Sequence, residues 1–258
     1  MMIAQTFTSL ILASASLVSA QTVYLAGDST MARGGGGGST NGWGEYLGQL
    51  LTLPVVNKAV AGRSARSYTE EGRFTTLLGS VKSGDFVVLE FGHNDGSSGI
   101  KDNGREDAYG DSLTATTVVD ESDGSTHVIH TFNYYMTNAT KAFQAKGAHV
   151  ILASQTPDDY WNSANTVIGP PPRFVPYMKE VAGNTTASYV DHYAYVAQAY
   201  GKIGQKTVVT YFPQDHTHTS VAGATVVAEA FVRGLLCGSS TLKTHVNAAG
   251  KAVPNGCI

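Results

Sequence analysis

The sequence predicts an α/β fold in which helices cover both faces of a central parallel sheet of about five strands, a three-layer α/β/α arrangement. Strand-like and helix-like segments alternate along the chain, which is the pattern of consecutive βαβ units. Two strand-like segments, "FVVL" at 86–89 and "VILA" at 150–153, are continuously apolar, as strands buried on both faces are. The length of 258 residues suits one such domain with a substantial core.

The first part of the chain supplies two strands and two helices. Residues 23–26 form a short apolar run, and residues 55–60 form a second one that Asn57 interrupts. Both predict strands. Residues 43–51 and 67–81 place apolar side chains at helical spacing, so each predicts an amphipathic helix.

The middle of the chain contains the clearest strand, at residues 85–91, and another at 149–154. Between them a helix is predicted over 132–146, and the Gly147 after it suits a helix C-terminus. The segment 92–131 breaks the alternation of strands and helices. Its runs "LTATTVV" and "STHVIHTF", joined by "DESDG", predict a hairpin at the rim of the sheet.

The last part of the chain predicts helices over 173–181, 192–200 and 221–236, with a short fifth strand at 188–190. The sequence contains no repeat and no linker long enough to separate two domains. We therefore expect residues 21–258 to form a single domain.

The N-terminal residues 1–20 are predicted to be a secretory signal peptide. Residues 6–18 are mostly apolar, no charged side chain precedes Asp28, and the run ends at Val18-Ser19-Ala20, whose small residues suit cleavage before Gln21. A buried N-terminal helix is the alternative. No later stretch is long and apolar enough to span a bilayer, so we expect a secreted, extracellular protein without a membrane partner.

Composition and cysteine content restrict the partners. Charged residues make up 14% of the chain, the net charge is −3 and no basic cluster occurs, so nucleic acid is not an expected partner. Cys237 and Cys257 are the two cysteines, and in a secreted chain they predict a disulfide; two free thiols are the alternative. Asn138 and Asn184 begin N-glycosylation sequons. We expect a monomer.

Small polar motifs directly follow the first three predicted strands. They are Gly27-Asp28-Ser29, Ala61-Gly62-Arg63-Ser64 and Gly92-His93-Asn94-Asp95. The carboxyl ends of neighbouring parallel strands lie on one edge of a sheet, and ligands bind in the crevice outside that edge. The three motifs are therefore expected to converge although the chain separates them widely.

The glycine run Gly34–Gly38 raises a phosphate-binding alternative. A P-loop needs a lysine after its glycines, and none occurs between Ala26 and Asn57. A dinucleotide-binding turn needs its glycines at the end of the strand, whereas this run lies well beyond it. We predict that the run is a flexible surface insertion, and we expect no cofactor.

Ser29 is the candidate nucleophile. A serine hydroxyl needs a base, and the base needs a group that orients it. Asp215 and His218 lie just before the last predicted helix, at a spacing that lets a single turn bring their side chains together. The Ser29 N–H, the Gly62 N–H and the Asn94 side-chain amide are candidate oxyanion-hole donors, because each follows a different strand.

A metal site is the competing chemistry. Asp215, His216 and His218 contain an H-x-H pair and a carboxylate, and His93 to Asp95 would add ligands. That hypothesis leaves the polar turns after the first two strands unexplained. We therefore expect no metal and predict that His93 and His216 pack or hydrogen-bond locally. A non-catalytic sugar-binding module is a further alternative.

Ser29, Gly62, Asn94 and His218 resemble, in order and context, the blocks of the SGNH or GDSL-type hydrolase family, here "GDS", "AGRS", "GHND" and "DHTH". Longer stretches, among them "VYLAGDSTMA" and "AVAGRSARSYTEEGRF", are similar to fungal rhamnogalacturonan acetylesterases. The resemblance implies a flavodoxin-like fold and removal of acetyl groups from pectic rhamnogalacturonan. It implies Ser29 as nucleophile, His218 as base, Asp215 as its partner, and an oxyanion hole formed by Ser29, Gly62 and Asn94.

The partner implied is an acetylated acidic polysaccharide. Arg63 and Arg66 suit its carboxylates, but salt bridges to Glu70 or Glu71 explain them equally. Trp161, in the loop after the fourth predicted strand, suits stacking on a sugar or packing at the rim. Acetylated xylan is an alternative substrate, and the sequence contains no broad apolar lid that would favour lipids.

Overall fold

A parallel five-stranded sheet forms the centre of the computed structural model, which describes residues 21–96, 102–159, 161 and 171–258. The predicted signal peptide, residues 1–20, lies outside the described residues. In chain order the strands are β1 (Val23–Gly27), β2 (Val55–Asn57), β3 (Phe86–Glu90), β4 (Thr116–Asp120), β5 (Thr126–His130), β6 (His149–Ala153) and β7 (Ser188–Val190).

The strand order in the main sheet is β2-β1-β3-β6-β7, with all neighbours parallel. Without the separate β4–β5 hairpin, this is the 2-1-3-4-5 order of flavodoxin-like sheets. The predicted α/β fold class is therefore confirmed. Because the order reverses next to β1, the carboxyl ends of β1 and β3 border the crevice where ligands are expected.

Helices connect these strands, and side-chain caps define several of their starts. Thr131 accepts a hydrogen bond from the Tyr134 N–H, and Ser220 accepts one from the Gly223 N–H, each at a helix N-terminus. The helices are α1 (Ala65–Glu70), α2 (Arg73–Ser80), α3 (Phe132–Ala145), α4 (Phe174–Thr185), α5 (His192–Ile203), α6 (Gln205–Val208), α7 (Val221–Cys237) and α8 (Ala248–Lys251). Short 3-10 helices span Trp43–Glu45, Leu47–Gln49, Val209–Tyr211 and Thr241–His245.

The two faces of the sheet carry separate hydrophobic cores. In β3, Phe86 and Val88 belong to one core and Val87 and Leu89 to the other, because successive side chains of a strand point to opposite faces. The first core is completed by α5, α7 and the 3-10 helices after β1, and the second by α1 to α4. This gives the three layers that the sequence predicts.

The prediction of a single helix over residues 43–51 is wrong. The segment forms two 3-10 turns instead, since Gly44 and Gly48 each weaken an α-helix by about 1 kcal/mol relative to alanine. The end of the segment pairs with another part of the chain, because Leu51 forms a β-bridge with Val246 near the C-terminus. Trp43 itself is fully buried in the core.

The prediction of a single helix over residues 67–81 is also wrong, because the segment is divided into α1 and α2. Gly72 adopts φ +69° between them, a left-handed conformation that ends the first helix and that glycine tolerates best. β2 is shorter than predicted, yet the chain continues alongside β1. The Lys58 N–H donates to the Leu25 carbonyl at 2.8 Å, and the Val60 N–H donates to the Gly27 carbonyl at 2.9 Å.

The hairpin predicted within 92–131 is confirmed as β4 and β5, which pair antiparallel with Val118 opposite Val128.

Near the C-terminus, a disulfide joins Cys237 to Cys257 and fastens the C-terminal tail to the end of α7. Asn138 on α3 and Asn184 on α4 are both exposed. Within the described ranges, no helix is long and apolar enough to cross a membrane.

Candidate active site

Ser29, His218 and Asp215 form one hydrogen-bonded chain. The Ser29 Oγ lies 2.8 Å from His218 Nε2, across 189 positions of sequence, and His218 Nδ1 lies 2.7 Å from Asp215 Oδ2. Because the carboxylate accepts the proton on Nδ1, Nε2 is left as the acceptor for the serine hydroxyl. The arrangement is that of a nucleophile, a base and a group that orients the base.

The turn after β1 holds Ser29 in place. Met31 and Ala32 donate their N–H groups to the Asp28 carbonyl at 3.3 and 2.9 Å. The buried Asp28 carboxylate accepts from the Thr30 N–H at 2.9 Å and from the Thr30 hydroxyl at 2.8 Å. Asp28 therefore shapes the turn, and Ser29 reaches His218 while remaining 5% exposed.

Asp215 organises its own turn around the base. Its Oδ1 accepts from the Thr217 N–H at 2.8 Å and from the His218 N–H at 2.7 Å, as aspartate does in tight turns. Partial burial acts to raise the pKa of Asp215, but hydrogen bonds from the His218 N–H, the His218 ring and the Thr217 N–H outweigh it and hold the pKa below its ordinary value. Asp215 is therefore ionised at neutral pH.

The three candidate oxyanion donors follow three adjacent strands, β2, β1 and β3. Among the described residues, neither the Ser29 N–H nor the Gly62 N–H donates to another group. Gly62 has φ +75°, a conformation that favours glycine. Asn94 donates from Nδ2 to the Arg63 carbonyl at 3.2 Å, which uses one of its two amide hydrogens and leaves the other.

The glycine run packs against the base. A Cβ built on Gly36 would lie 2.6 Å from both Cγ and Nδ1 of His218, closer than any side chain tolerates. The peptide at Gly36 thus covers one face of the imidazole, and only a residue without a side chain allows this approach. The sequence alone did not reveal this contact, because Gly36 and His218 lie at opposite ends of the chain.

Two polar residues fasten the same run. Thr40 accepts from the Gly36 N–H at 2.9 Å, and Asn41 accepts from the Gly34 N–H at 2.8 Å. The Asn41 N–H donates to the carbonyl of Thr219 at 2.8 Å, and the Thr219 hydroxyl donates back to the Asn41 carbonyl at 3.2 Å. The run is therefore tied to the segment that carries the base, which differs from the predicted unconstrained insertion.

Two buried carboxyl groups lie behind the oxyanion donors. Asp95 and Asp107 are 0% and 3% exposed, and the Asp107 N–H donates to the Asp95 carbonyl at 3.1 Å. Burial, and for Asp107 also the neighbouring Asp95, raises the pKa of both groups, so the pair keeps a proton above the usual carboxyl range. Asp95 also accepts from the Ala65 N–H at 2.7 Å, which fastens the Asn94 motif to the start of α1.

Arg66 forms the salt bridge to Glu70 that is one of the two roles predicted for it, and its burial leaves little of the side chain open to a substrate. Its side chain is 2% exposed and donates to both oxygens of Asp102, at 2.7 and 2.6 Å, and to Glu70 at 3.0 Å. Burial acts to lower the pKa of Arg66, but these hydrogen bonds outweigh it and raise the pKa. The guanidinium is thus paired with two carboxylates of the protein.

Arg63 also has an internal partner, since its Nε lies 3.1 Å from Glu71. One third of the Arg63 side chain remains exposed, so substrate binding by Arg63 stays a prediction. Trp161 is half-buried and packs against the core on the α5 and α7 side. Sugar stacking by Trp161 stays a prediction as well, and its neighbour Tyr160 lies outside the described residues.

His93 and His216, the other two histidines considered as metal ligands, hydrogen-bond to protein side chains, as predicted. His216 hydrogen-bonds through Nδ1 to Asp159, and His93 lies 3.2 Å from the Thr156 hydroxyl. In the part of the chain that the structure describes, no three His, Cys, Asp or Glu side chains are placed to hold one metal ion.

Sequence reasoning missed Arg105. Its Nη1 lies 3.5 Å from Asn94 Oδ1 and 3.8 Å from the position of a Cβ on Gly62. The signal for it was weak: Arg105 belongs to the segment that interrupts the alternation after the third strand, and such an insertion leaves the sheet at the edge where ligands bind.

Comparison with known proteins agrees with this geometry. The profile of the family described as GDSL-like lipase/acylhydrolase matches residues 23–231. A rhamnogalacturonan acetylesterase of Emericella nidulans is 46% identical over 224 residues, which cover 86% of this chain and 88% of that protein. A probable rhamnogalacturonan acetylesterase of Bacillus subtilis, YesY, is 28% identical over 84% of this chain and 93% of its own length.

Solved structures share the fold. A Bacillus subtilis protein, YxiM, superposes with a TM-score of 0.68 at 24% identity, over 84% of this chain and 56% of that one. Axe2, an acetylxylan esterase from Geobacillus stearothermophilus, superposes with a TM-score of 0.56 at 19% identity, over 84% of this chain and 94% of that one.

Proposed function

Because the chain belongs to the GDSL-like lipase/acylhydrolase family, we propose that it is a secreted serine esterase that removes acetyl groups from pectic rhamnogalacturonan. The observation that carries the proposal is the continuous hydrogen-bonded chain from Ser29 through His218 to Asp215. The polymer is chosen from the 46% identity to a relative named rhamnogalacturonan acetylesterase.

In the acylation half, Ser29 attacks the acetyl carbonyl while His218 Nε2 takes the hydroxyl proton. The carbonyl oxygen becomes an oxyanion, and the Ser29 N–H, the Gly62 N–H and the Asn94 amide stabilise it. Collapse of the intermediate breaks the bond to the sugar oxygen, and His218 returns the proton to that oxygen. The deacetylated sugar leaves, and the acetyl group remains on Ser29.

In the deacylation half, water attacks the acetyl-serine while His218 takes its proton, and a second oxyanion forms in the same place. Breaking the bond to Ser29 Oγ returns the proton to the serine and releases acetate. Asp215 stays ionised throughout, because its hydrogen bonds lower its pKa. It holds the imidazole in the required tautomer and stabilises the imidazolium that forms in each half.

The proposal extends to the rest of the chain. Removal of residues 1–20 would leave a single esterase domain over 21–258, working as a monomer outside the cell. The disulfide between Cys237 and Cys257 suits an oxidising compartment. Asn138 and Asn184 are exposed and would be accessible for glycosylation.

Acetate release tests this proposal. Purified protein is incubated side by side with acetylated rhamnogalacturonan and acetylated xylan, and acetate is quantified with time for the wild type and for Ser29→Ala. We expect faster release from rhamnogalacturonan, and a loss of several orders of magnitude in the folded Ser29→Ala protein. Faster release from xylan would overturn the choice of polymer. Near-normal release by Ser29→Ala would overturn the mechanism.

A further inference from the structure

We propose that Arg105 is a specificity-determining residue that binds a uronate carboxylate of the substrate beside the oxyanion hole. The inference rests on the proposed function and adds to it the group by which the enzyme distinguishes an acidic polymer from a neutral ester. It concerns a residue that no sequence motif points to.

Arg105 lies beside two of the oxyanion donors. Its Nη1 lies 3.5 Å from the side-chain oxygen of Asn94 and 3.8 Å from where a Cβ on Gly62 would be. The guanidinium therefore lies next to the place where the acetyl carbonyl oxygen must sit. A sugar that carries that acetyl group, or its neighbour in the polymer, comes within reach of the guanidinium.

Arg105 forms no ion pair with the residues that the structure describes. No carboxylate among them lies within ion-pair distance of it, and its side chain is exposed. Arg63 and Arg66, by contrast, are paired with Glu71 and with Asp102 and Glu70. Of Arg63, Arg66 and Arg105, only Arg105 has no ion-pair partner among the described residues.

The backbone under Arg105 is nevertheless fixed. Its N–H donates to Asn103 Oδ1 at 2.8 Å, and the Gly104 N–H donates to Asp102 Oδ1 at 2.8 Å. Asp102 is in turn anchored by the buried Arg66. An exposed cation on an anchored turn loses less freedom on binding than one on a loose loop, and this favours recognition.

A carboxylate is the chemistry that fits. The planar guanidinium donates two parallel hydrogen bonds to a carboxylate, and charge-assisted bonds of this kind are about twice as strong as neutral ones. A uronate presents such a carboxylate on the sugar ring. A small neutral acetyl ester presents none, so Arg105 should contribute to the first substrate and not to the second.

The competing role for Arg105 is to orient Asn94. The contact is long at 3.5 Å, and Asn94 is already held through Nδ2 by the Arg63 carbonyl. The two roles differ in one measurable respect. A residue that orients Asn94 acts on every acetyl ester, whereas a residue that binds a carboxylate acts on acidic substrates alone.

The test compares the full-length mature protein with Arg105→Gln, Arg105→Lys and the control Arg73→Gln. Arg73→Gln removes the same charge from the start of α2 and leaves Glu71 paired with Arg63. Each protein is assayed for kcat/KM on acetylated rhamnogalacturonan, on the same polymer after methyl esterification of its carboxyl groups, and on 4-nitrophenyl acetate.

On the acidic polymer, kcat/KM should fall about ten-fold or more in Arg105→Gln and less in Arg105→Lys, as loss of a charged hydrogen-bond partner predicts. On 4-nitrophenyl acetate the kcat/KM of every variant should stay within about two-fold of wild type, because that substrate carries no carboxylate for Arg105 to bind. Methyl esterification should lower the wild-type value and leave Arg105→Gln unchanged, so that the two proteins become equal on the neutral polymer.

Equal losses on all three substrates would assign Arg105 to the orientation of Asn94 and overturn the inference. An unchanged value for Arg105→Gln on the acidic polymer, with an active wild type, would also overturn it while leaving the proposed esterase function intact. Failure of the wild type to release acetate from any of the three substrates would instead overturn the proposed function, and this inference with it.

Discussion

The two sides of the candidate site are held in place by different kinds of interaction. On the side of the base, Asp215 and His218 lie in a partly exposed loop that is fastened by neutral hydrogen bonds and by the close approach of Gly36. On the side of the oxyanion hole, buried charges and carboxyl groups hold the segments in place. They are the Arg66–Asp102 pair and the Asp95–Asp107 pair.

The difference follows from what each side must do. The base gains and loses a proton in each half of the reaction, and its ring is oriented by the contact of 2.7 Å between His218 Nδ1 and Asp215 Oδ2. The oxyanion donors are backbone and amide N–H groups that must stay aimed at one point, and charge-assisted bonds are strong and directional. We expect the base side to be sensitive to shape, and the oxyanion side to charge and pH.

The largest expected effect is on the base side. Asp215→Asn keeps an oxygen to accept from the loop N–H groups but places a donor opposite His218 Nδ1, which favours the wrong tautomer. We expect kcat on 4-nitrophenyl acetate to fall by roughly 10⁴-fold, as this change does in serine proteases. Asp123→Asn, on the remote turn of the β4–β5 hairpin, is the control, and a loss of similar size there would contradict the assignment.

The next largest effect is expected from removing a buried ion pair on the oxyanion side. Arg66→Met removes one partner of a buried ion pair and leaves Asp102 without it, so the free energy of unfolding should fall by about 3–5 kcal/mol. Arg63→Met removes a neighbouring arginine that is one third exposed, and it should cost about 1 kcal/mol or less. Urea denaturation of both variants measures the difference. Equal costs would show that burial of the Arg66 pair does not set its importance.

A smaller effect tests the shape of the base side. Gly36→Ala puts a methyl group where the His218 ring lies, and a displacement of the ring by about 1 Å should lower kcat roughly 100-fold. Gly34→Asn is the matched control in the same run, because nothing lies within 4 Å of a Cβ there and asparagine tolerates the positive φ. If both variants keep wild-type kcat with unchanged Tm, the glycine contact does not position the base.

The smallest effect concerns pH and the buried acids. The folded state raises the pKa of Asp107, so above about pH 4 the unfolded chain loses a proton that the folded protein keeps. Stability therefore falls as pH rises, by at most about 1.4 kcal/mol per pH unit for one group. Asp107→Asn cannot ionise, so its Tm relative to wild type should rise between about pH 4 and pH 7. The exposed Asp111→Asn should show no such trend, and parallel curves for wild type and Asp107→Asn would contradict the raised pKa.

The parts of the site that the sequence predicts are those that depend on local motifs and on the sheet. Ser29, Gly62 and Asn94 each follow a strand directly, and the rule for parallel sheets places them on one edge. Asp215 and His218 are close in sequence, so one turn suffices to pair them. These residues require no knowledge of the packing between distant segments.

The remainder depends on contacts between distant segments, which no local pattern encodes. Arg66 is buried because Asp102 reaches it from 36 positions away, and the same segment brings Arg105 to the oxyanion donors. Gly36 matters because the end of the chain returns to it. Likewise, Leu51, at the end of a segment that the sequence predicts to be one helix, pairs with Val246 near the C-terminus.

Covalent labelling of the nucleophile tests the central claim most directly. The protein is treated with a serine-directed organophosphonate, and the modified peptide is identified by mass spectrometry while esterase activity is followed. The account predicts one adduct, on Ser29, that forms in step with the loss of activity, is absent in Ser29→Ala and forms much more slowly in His218→Ala. Loss of activity with the adduct on another residue, or full activity in protein that is labelled on Ser29, would contradict it.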